Sequence, residues 1–247
     1  MRSHLNMRSG NPALNPKTFT SAIPNSSDVM TIEGTINKTA MSFLLLLATA
    51  SYAWTNPSVG LMMLGFIGGF IIALITIFKK MWAPYTVSIY ALLEGLALGG
   101  ISQYFEGHYP GIVGQAIFLT FGILIALLLA YKTGLIKPTE NFKLGVFAAT
   151  GGIAIMYLIS WIMSMFGSGM TILNPNNTSL LSIGISIFVV VIASLNLVLD
   201  FDFIEEGAER GAPKYMEWYG AFGIMVTLIW LYLEILRLLA KLQSRRN

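Results

Sequence analysis

Seven apolar segments, each close to the length a helix needs to cross a bilayer, occupy most of residues 37–241. They run over about 37–54, 59–78, 84–105, 111–131, 143–166, 180–203 and 218–241. One spanning helix needs roughly 20 mainly apolar residues. The stretch SLLSIGISIFVVVIASLN, residues 179–196, carries no charge at all. Helices are the economical reading, because lipid offers the backbone no hydrogen-bond partner outside the segment itself. A transmembrane barrel would need alternating segments of about ten residues, and the sequence has none. Only 11% of the residues are charged and 55% are hydrophobic, against about 25% charged in a soluble domain. The expected fold class is therefore an all-α membrane protein, a bundle of seven transmembrane helices over 37–241. A flexible polar tail is expected over 1–36, and a basic tail over 242–247.

The charges in the linkers set the expected orientation. Arg2, Arg8, Lys17 and Lys38 precede or open the first segment, and Lys79 and Lys80 follow the second. Lys132, Lys137 and Lys143 separate the fourth from the fifth, and Arg210 and Lys214 the sixth from the seventh. The other three linkers carry no Lys or Arg. Basic residues collect on the cytoplasmic side, so the N-terminus is expected there. Seven crossings put the C-terminus on the far side despite Lys241, Arg245 and Arg246; the earlier segments are expected to set the orientation. Gly65 with Gly69, and Gly95 with Gly99, have the spacing that lets membrane helices approach closely.

A carboxylate at the centre of a spanning helix costs roughly 2.5–3.5 kcal/mol on insertion scales, and such residues mark pathways or sites. Four stand out: Glu94 in YALLEGLALGG, Asp200 and Asp202 in LVLDFDFIEEG, and Glu234 in LIWLYLEILRLL. At 1.5 Å per residue, Glu94 lies about 16 Å in from Ala83 and Glu234 roughly 20 Å in from Gly220, both near the middle of the apolar core. Asp200 falls at the inner end of its segment and Asp202 at the interface. Glu205, Glu206 and Glu209 read as a solvated loop cluster. Two close buried carboxyls share a proton and titrate as a unit. Deprotonated, they offer oxygens to a hard cation, although calcium needs six to eight. A proton-sensitive cation site and a proton relay both fit these residues.

Other chemistries find little footing. Cysteine is absent, and the two histidines, His4 and His108, lie in tail and loop, so they build no intramembrane zinc site. No P-loop, dinucleotide fingerprint or G-x-S-x-G elbow occurs. Neither an enzyme nor a nucleic-acid partner is expected, and no tightly bound cofactor.

The last third carries a family pattern. LVLDFDFIEE at 197–206, APKYMEWYGAFG at 212–223 and LYLEILRLL at 231–239 resemble the Bax inhibitor family, bacterial branch, and IFKKMWAPY at 77–85 is similar to the basic end of its second helix. The resemblance implies six helices around a central seventh, and a calcium leak controlled by pH. It implies a carboxylate pair, Asp200 with Glu234, as sensor, gate and site for Ca²⁺. Glu234 stands where the family has Asp, and Lys79 or Lys80 stands as the electrostatic partner where Arg is usual; a point charge replaces a bidentate fork. A straight sixth helix would leave Asp200 far from Glu234, so pairing requires a break near LDFD or a lower start to the seventh. Otherwise Glu94 and Glu234 form the midplane site. The expected function is thus a pH-sensitive calcium leak in a bacterial cytoplasmic membrane. Its partners are lipid, Ca²⁺ and H⁺, with Glu94 and Asp202 as further pore candidates. The alternatives are a proton-coupled transporter using Glu94 and Glu234, and a non-transporting membrane interaction protein.

Overall fold

The computed structural model describes residues 29–167 and 169–246. Of the tail expected over 1–36, residues 1–28 lie outside the described residues, and 32–36 open the first helix. Among the described residues seven α-helices follow one another: α1 (Ile32–Thr55), α2 (Val59–Phe78), α3 (Ala83–His108), α4 (Ile112–Lys132), α5 (Glu140–Met165), α6 (Leu180–Glu209) and α7 (Met216–Arg246). Among the described residues an isolated bridge between Val29 and Pro213 is the only β pairing. Polar residues start three helices. The side chains of Thr31, Thr139 and Ser179 accept from Gly34 N, Phe142 N and Ser182 N, taking up amides that the first turn leaves unpaired.

By length and composition α2 to α7 can each cross a membrane; α1 is not among them. Its first two turns carry Glu33, Asn37 and Lys38, and its last turns are rich in Ser, Thr, Tyr and Trp. Among the described residues six helices are thus long and apolar enough to span, where the apolar pattern suggested seven. Two boundaries also move. Helix α6 continues six residues past 203, so Glu205, Glu206 and Glu209 are helical and not in a loop. Helix α7 runs on through Arg246, across the segment read as a basic tail.

Helix α7 packs against α1, α3, α4 and α6, while α3 is flanked by α1 and α2, and α5 rests on α6. Half or more of the apolar windows of α3 and α7 are buried (50% and 56%), against 17% for α2 and 11% for α5. The outer helices turn Phe66, Phe118 and Phe147 outward, which suits lipid and not water. Tyr90 meets Phe222 edge-on at 5.1 Å, and Ser102 Oγ lies 2.6 Å from Tyr232 Oη. Both contacts advance along α3 and α7 in the same direction, so the two helices are parallel.

The glycine seams are where backbones touch. A Cβ on Gly65 would run into the Leu93 carbonyl and the Ala97 amide of α3. One on Gly95 would strike the Leu46 carbonyl of α1, and one on Gly99 the Ala50 carbonyl. Backbone cannot yield as a side-chain tip can, so Gly95→Leu or Gly99→Leu should cost at least about 1–3 kcal/mol as overpacking. Gly114 and Gly122 have nothing within 4 Å of an added Cβ, and Gly→Ala there should leave stability unchanged or raise it by about 0.5–1 kcal/mol. Thermal unfolding in detergent, followed by tryptophan fluorescence, should separate the two pairs. Equal losses at all four positions would contradict the seam.

Candidate functional site

The acidic run LVLDFDFIEEG stays helical, and its carboxylates fan out to different neighbours. Asp202 Oδ2 pairs with Lys143 Nζ of α5 at 2.6 Å. Glu205 accepts from the Tyr131 hydroxyl of α4, and Glu206 pairs with Arg210, which caps the same helix. Asp200 differs. Its side chain faces α7, with Oδ1 3.3 Å from where a Cβ on Gly223 would stand. The Thr227 hydroxyl lies beside it. Asp200 Oδ2 is buried and has no hydrogen-bond partner among the described residues. A glycine on the facing helix makes the room, and the carboxylate's second oxygen is left unmatched. An unmatched buried acceptor costs about 1–3 kcal/mol, more when charged.

Glu234 is the opposite case. It is 2% exposed and crowded with donors. The Tyr157 hydroxyl of α5 reaches Oε1 at 2.6 Å and Trp230 Nε1 reaches it at 3.2 Å. Arg237 Nη1 lies 2.9 Å from both carboxylate oxygens and 2.8 Å from the Tyr157 oxygen. The guanidinium also sits 5.4 Å from the Tyr157 ring centre. Because Glu and Arg are three residues apart on one helix, they share a face. The pair is formally neutral, and Tyr157 ties it to α5.

Tyr157 is the last of three rungs. Lys143, Thr150 and Tyr157 recur every seven residues along α5, a spacing that drifts only about 20° around a helix. Lys143 bonds Asp202, Thr150 Oγ1 accepts from Asn196 Nδ2 at 2.8 Å, and Tyr157 bonds Glu234. Polar rungs hold a helix whose apolar burial is slight.

The structure does not bring Asp200 and Glu234 together. Asp200 faces Gly223, and Glu234 comes eleven residues later, about 16 Å farther along the axis. Helix α6 passes through LDFD without a break, and the lower start of α7, at Met216, does not close the gap. Nor does Glu94 meet Glu234: its Oε1 lies 2.6 Å from the position of a Cβ on Gly69 of α2, whereas Glu234 turns to α5. The Tyr90–Phe222 and Ser102–Tyr232 contacts set Glu94 level with residues near 225 of α7, hence near the level of Asp200. Lys80 Nζ lies 5.2 Å from the Tyr219 ring centre, one turn before Gly223, so it approaches the end of the bundle that holds Asp200. Lys79 ends α2, its backbone N–H bonded to Ile75 O. Among the described residues no three His, Cys, Asp or Glu side chains gather into a metal site. The pair expected to hold Ca²⁺ is therefore not assembled as a ligand set.

Two buried charges lie outside the expected set. Glu217, 1% exposed, accepts from Thr31 N at 3.1 Å, Thr31 Oγ1 at 2.9 Å and Lys214 Nζ at 3.1 Å. It thereby fastens the start of α7 to the cap of α1, and Gly34 leaves the space for it. Lys241, fully buried, donates to Ile172 O, Ser182 O and Ser186 Oγ at 3.0, 3.3 and 2.9 Å. Its position one turn beyond Arg237 and two beyond Glu234 was the available signal, since all three fall on one helical face.

Removing one partner of a buried pair costs about 3–5 kcal/mol, whereas replacing both by apolar groups is often neutral. Arg237→Met should therefore lower the melting temperature strongly, and Glu234→Leu combined with Arg237→Met should recover part of the loss, since Tyr157 and Trp230 then lack their acceptor. Tyr157→Phe should cost only about 0.5–1.5 kcal/mol. A double variant as unstable as Arg237→Met alone would refute the pairing.

A family model described as Bax inhibitor 1 like matches residues 11–244. None of the curated proteins matches the chain. The family match runs through every helix of a multi-pass membrane protein, Asp200 and Glu234 included, and the chain accordingly belongs to the Bax inhibitor 1-like family.

Proposed function

We propose that this protein is a pH-sensitive calcium leak in which α1 also crosses the bilayer, α7 is the central helix of seven, and Asp200 is the titrating gate residue. The observation that carries this reading is the unmatched, buried Oδ2 of Asp200 at the seam between α6 and α7. A charged oxygen without a donor favours any rearrangement that brings it water or a cation. A protonated carboxyl there no longer demands either. The seam can respond locally, because Gly220 and Gly223 are the α7 residues that face Ile204 and Asp200. Hard cations such as Ca²⁺ take oxygen ligands, and Asp200 together with Glu94 supplies carboxylates at one level along α7. Lys80, over Tyr219, tunes access from the same end.

In this reading Glu234 is not the second half of the sensor. Its oxygens already accept from Tyr157, Trp230 and Arg237, so it braces α5 against α7. The basic linkers favour a cytoplasmic N-terminus in a bacterial inner membrane.

The test is calcium flux into proteoliposomes between pH 5 and 8. Wild type should show flux that varies with pH. Asp200→Asn, which cannot ionise, should flatten that response. Glu234→Gln should keep the response and lower the melting temperature. A response that survives Asp200→Asn would remove Asp200 from the gate, and absence of calcium flux at every pH would favour a non-transporting interaction protein.

A further inference from the structure

A crevice of about 390 Å³ opens between α1 and α4 on the outer surface of the bundle. These two helices make little contact with each other. Its walls include Leu47 and Trp54 of α1 and Ile117 of α4, and its floor is Leu228, Ile229 and Tyr232 of α7. The crevice is distinct from the Asp200 seam and from the Glu234 network, and its lining carries no ionisable acid or base other than the Tyr232 phenol.

Three features identify what fills it. The first is depth. Phe43 of α1 meets Phe121 of α4 at 6.2 Å between ring centres, which shuts the crevice at one end. Phe43 is the twelfth residue of 24 in α1, and Phe121 the tenth of 21 in α4, so the closure falls at mid-helix on both sides. From Phe43 to Trp54 is about 16 Å of helix, close to half of an apolar core of roughly 30 Å. The crevice thus has the depth of one leaflet. The second feature is dryness. Ser102 Oγ and Tyr232 Oη share a hydrogen bond at 2.6 Å, and Thr120 Oγ1 donates to Ala116 O at 2.7 Å. Apart from these and Ser51 and Trp54 toward the mouth the lining is apolar, which favours an acyl chain over water. The third is the mouth, where Trp54, 37% exposed, is the amphipathic ring expected at the boundary between acyl chains and headgroups.

We infer that this crevice seats one acyl chain of a phospholipid, drawn from the leaflet at the C-terminal end of α1. A chain lying there touches α7 through Leu228, Ile229 and Tyr232, at 3%, 8% and 9% exposure, although most of α7 is shielded from lipid. The inference depends on the membrane-spanning fold and not on what the bundle conducts.

The experiment is photolabelling of the full chain in vesicles of phosphatidylcholine that carries a diazirine near the end of one acyl chain, with adducts mapped by mass spectrometry. Adducts on Leu228, Ile229 or Tyr232 are expected in addition to those on outward residues such as Phe66, Phe118 and Phe147. Leu47→Trp with Ile117→Trp should fill the crevice and abolish the α7 adducts while leaving the outward ones. Labelling confined to outward residues in the wild type would overturn the site. So would α7 adducts that persist in the filled variant, or α7 labelling by a free fatty acid bearing the same diazirine but not by the phospholipid.

Discussion

Within a bilayer no polar group can borrow a partner from water, and the bundle is arranged around that constraint. Tyr157, Trp230 and Arg237 saturate Glu234. Two backbone carbonyls and a serine hydroxyl receive Lys241. Thr31 and Lys214 receive Glu217. Once these groups are satisfied, the unmatched oxygen of Asp200 becomes conspicuous. Ser42 Oγ is the other buried side-chain atom without a partner among the described residues, and a neutral hydroxyl costs far less to strand than a carboxylate.

Packing and polar bonding divide the labour between the two sides of the molecule. On the side of α1, α2 and α3, glycines bring backbones into contact and association rests on close fit. On the side of α5, three polar rungs do the holding while most of the helix surface faces lipid. Interhelical hydrogen bonds in membranes average well below about 2 kcal/mol each. The α5 side is therefore the softer of the two, and it is the side to which Glu234 is attached.

The helices were legible in the sequence because hydropathy and glycine spacing are local properties. Gly65, Gly69, Gly95 and Gly99 announced contacts that the fold contains. The acidic run was harder to read. Charge density at Glu205, Glu206 and Glu209 resembled a loop, yet Tyr131 of α4 and Lys143 of α5 supply partners that keep the helix going until Arg210 and the left-handed Gly211 (φ 65°) end it. Those partners lie far away in the chain. Glu217 was missed for the same reason: its bond to Thr31 spans 186 residues. Lys241 was counted with Arg245 and Arg246 as a C-terminal charge because charge counting ignores which face of a helix a residue occupies. The Asp200–Glu234 pairing failed on geometry that the sequence had already hinted at, since two residues at different depths on straight helices cannot meet.

The clamp between Glu217 and Thr31 has a consequence for biogenesis. The first described helix receives a ligand for its cap from the opening turn of the last, and Lys241, near the end of that last helix, secures the connection between α5 and α6. The cap of α1 and the connection between α5 and α6 therefore gain these bonds only after the helix that carries both partners has been made. Both joints thus close late in synthesis, and a chain cut before Lys241 forgoes its bonds to Ile172, Ser182 and Ser186.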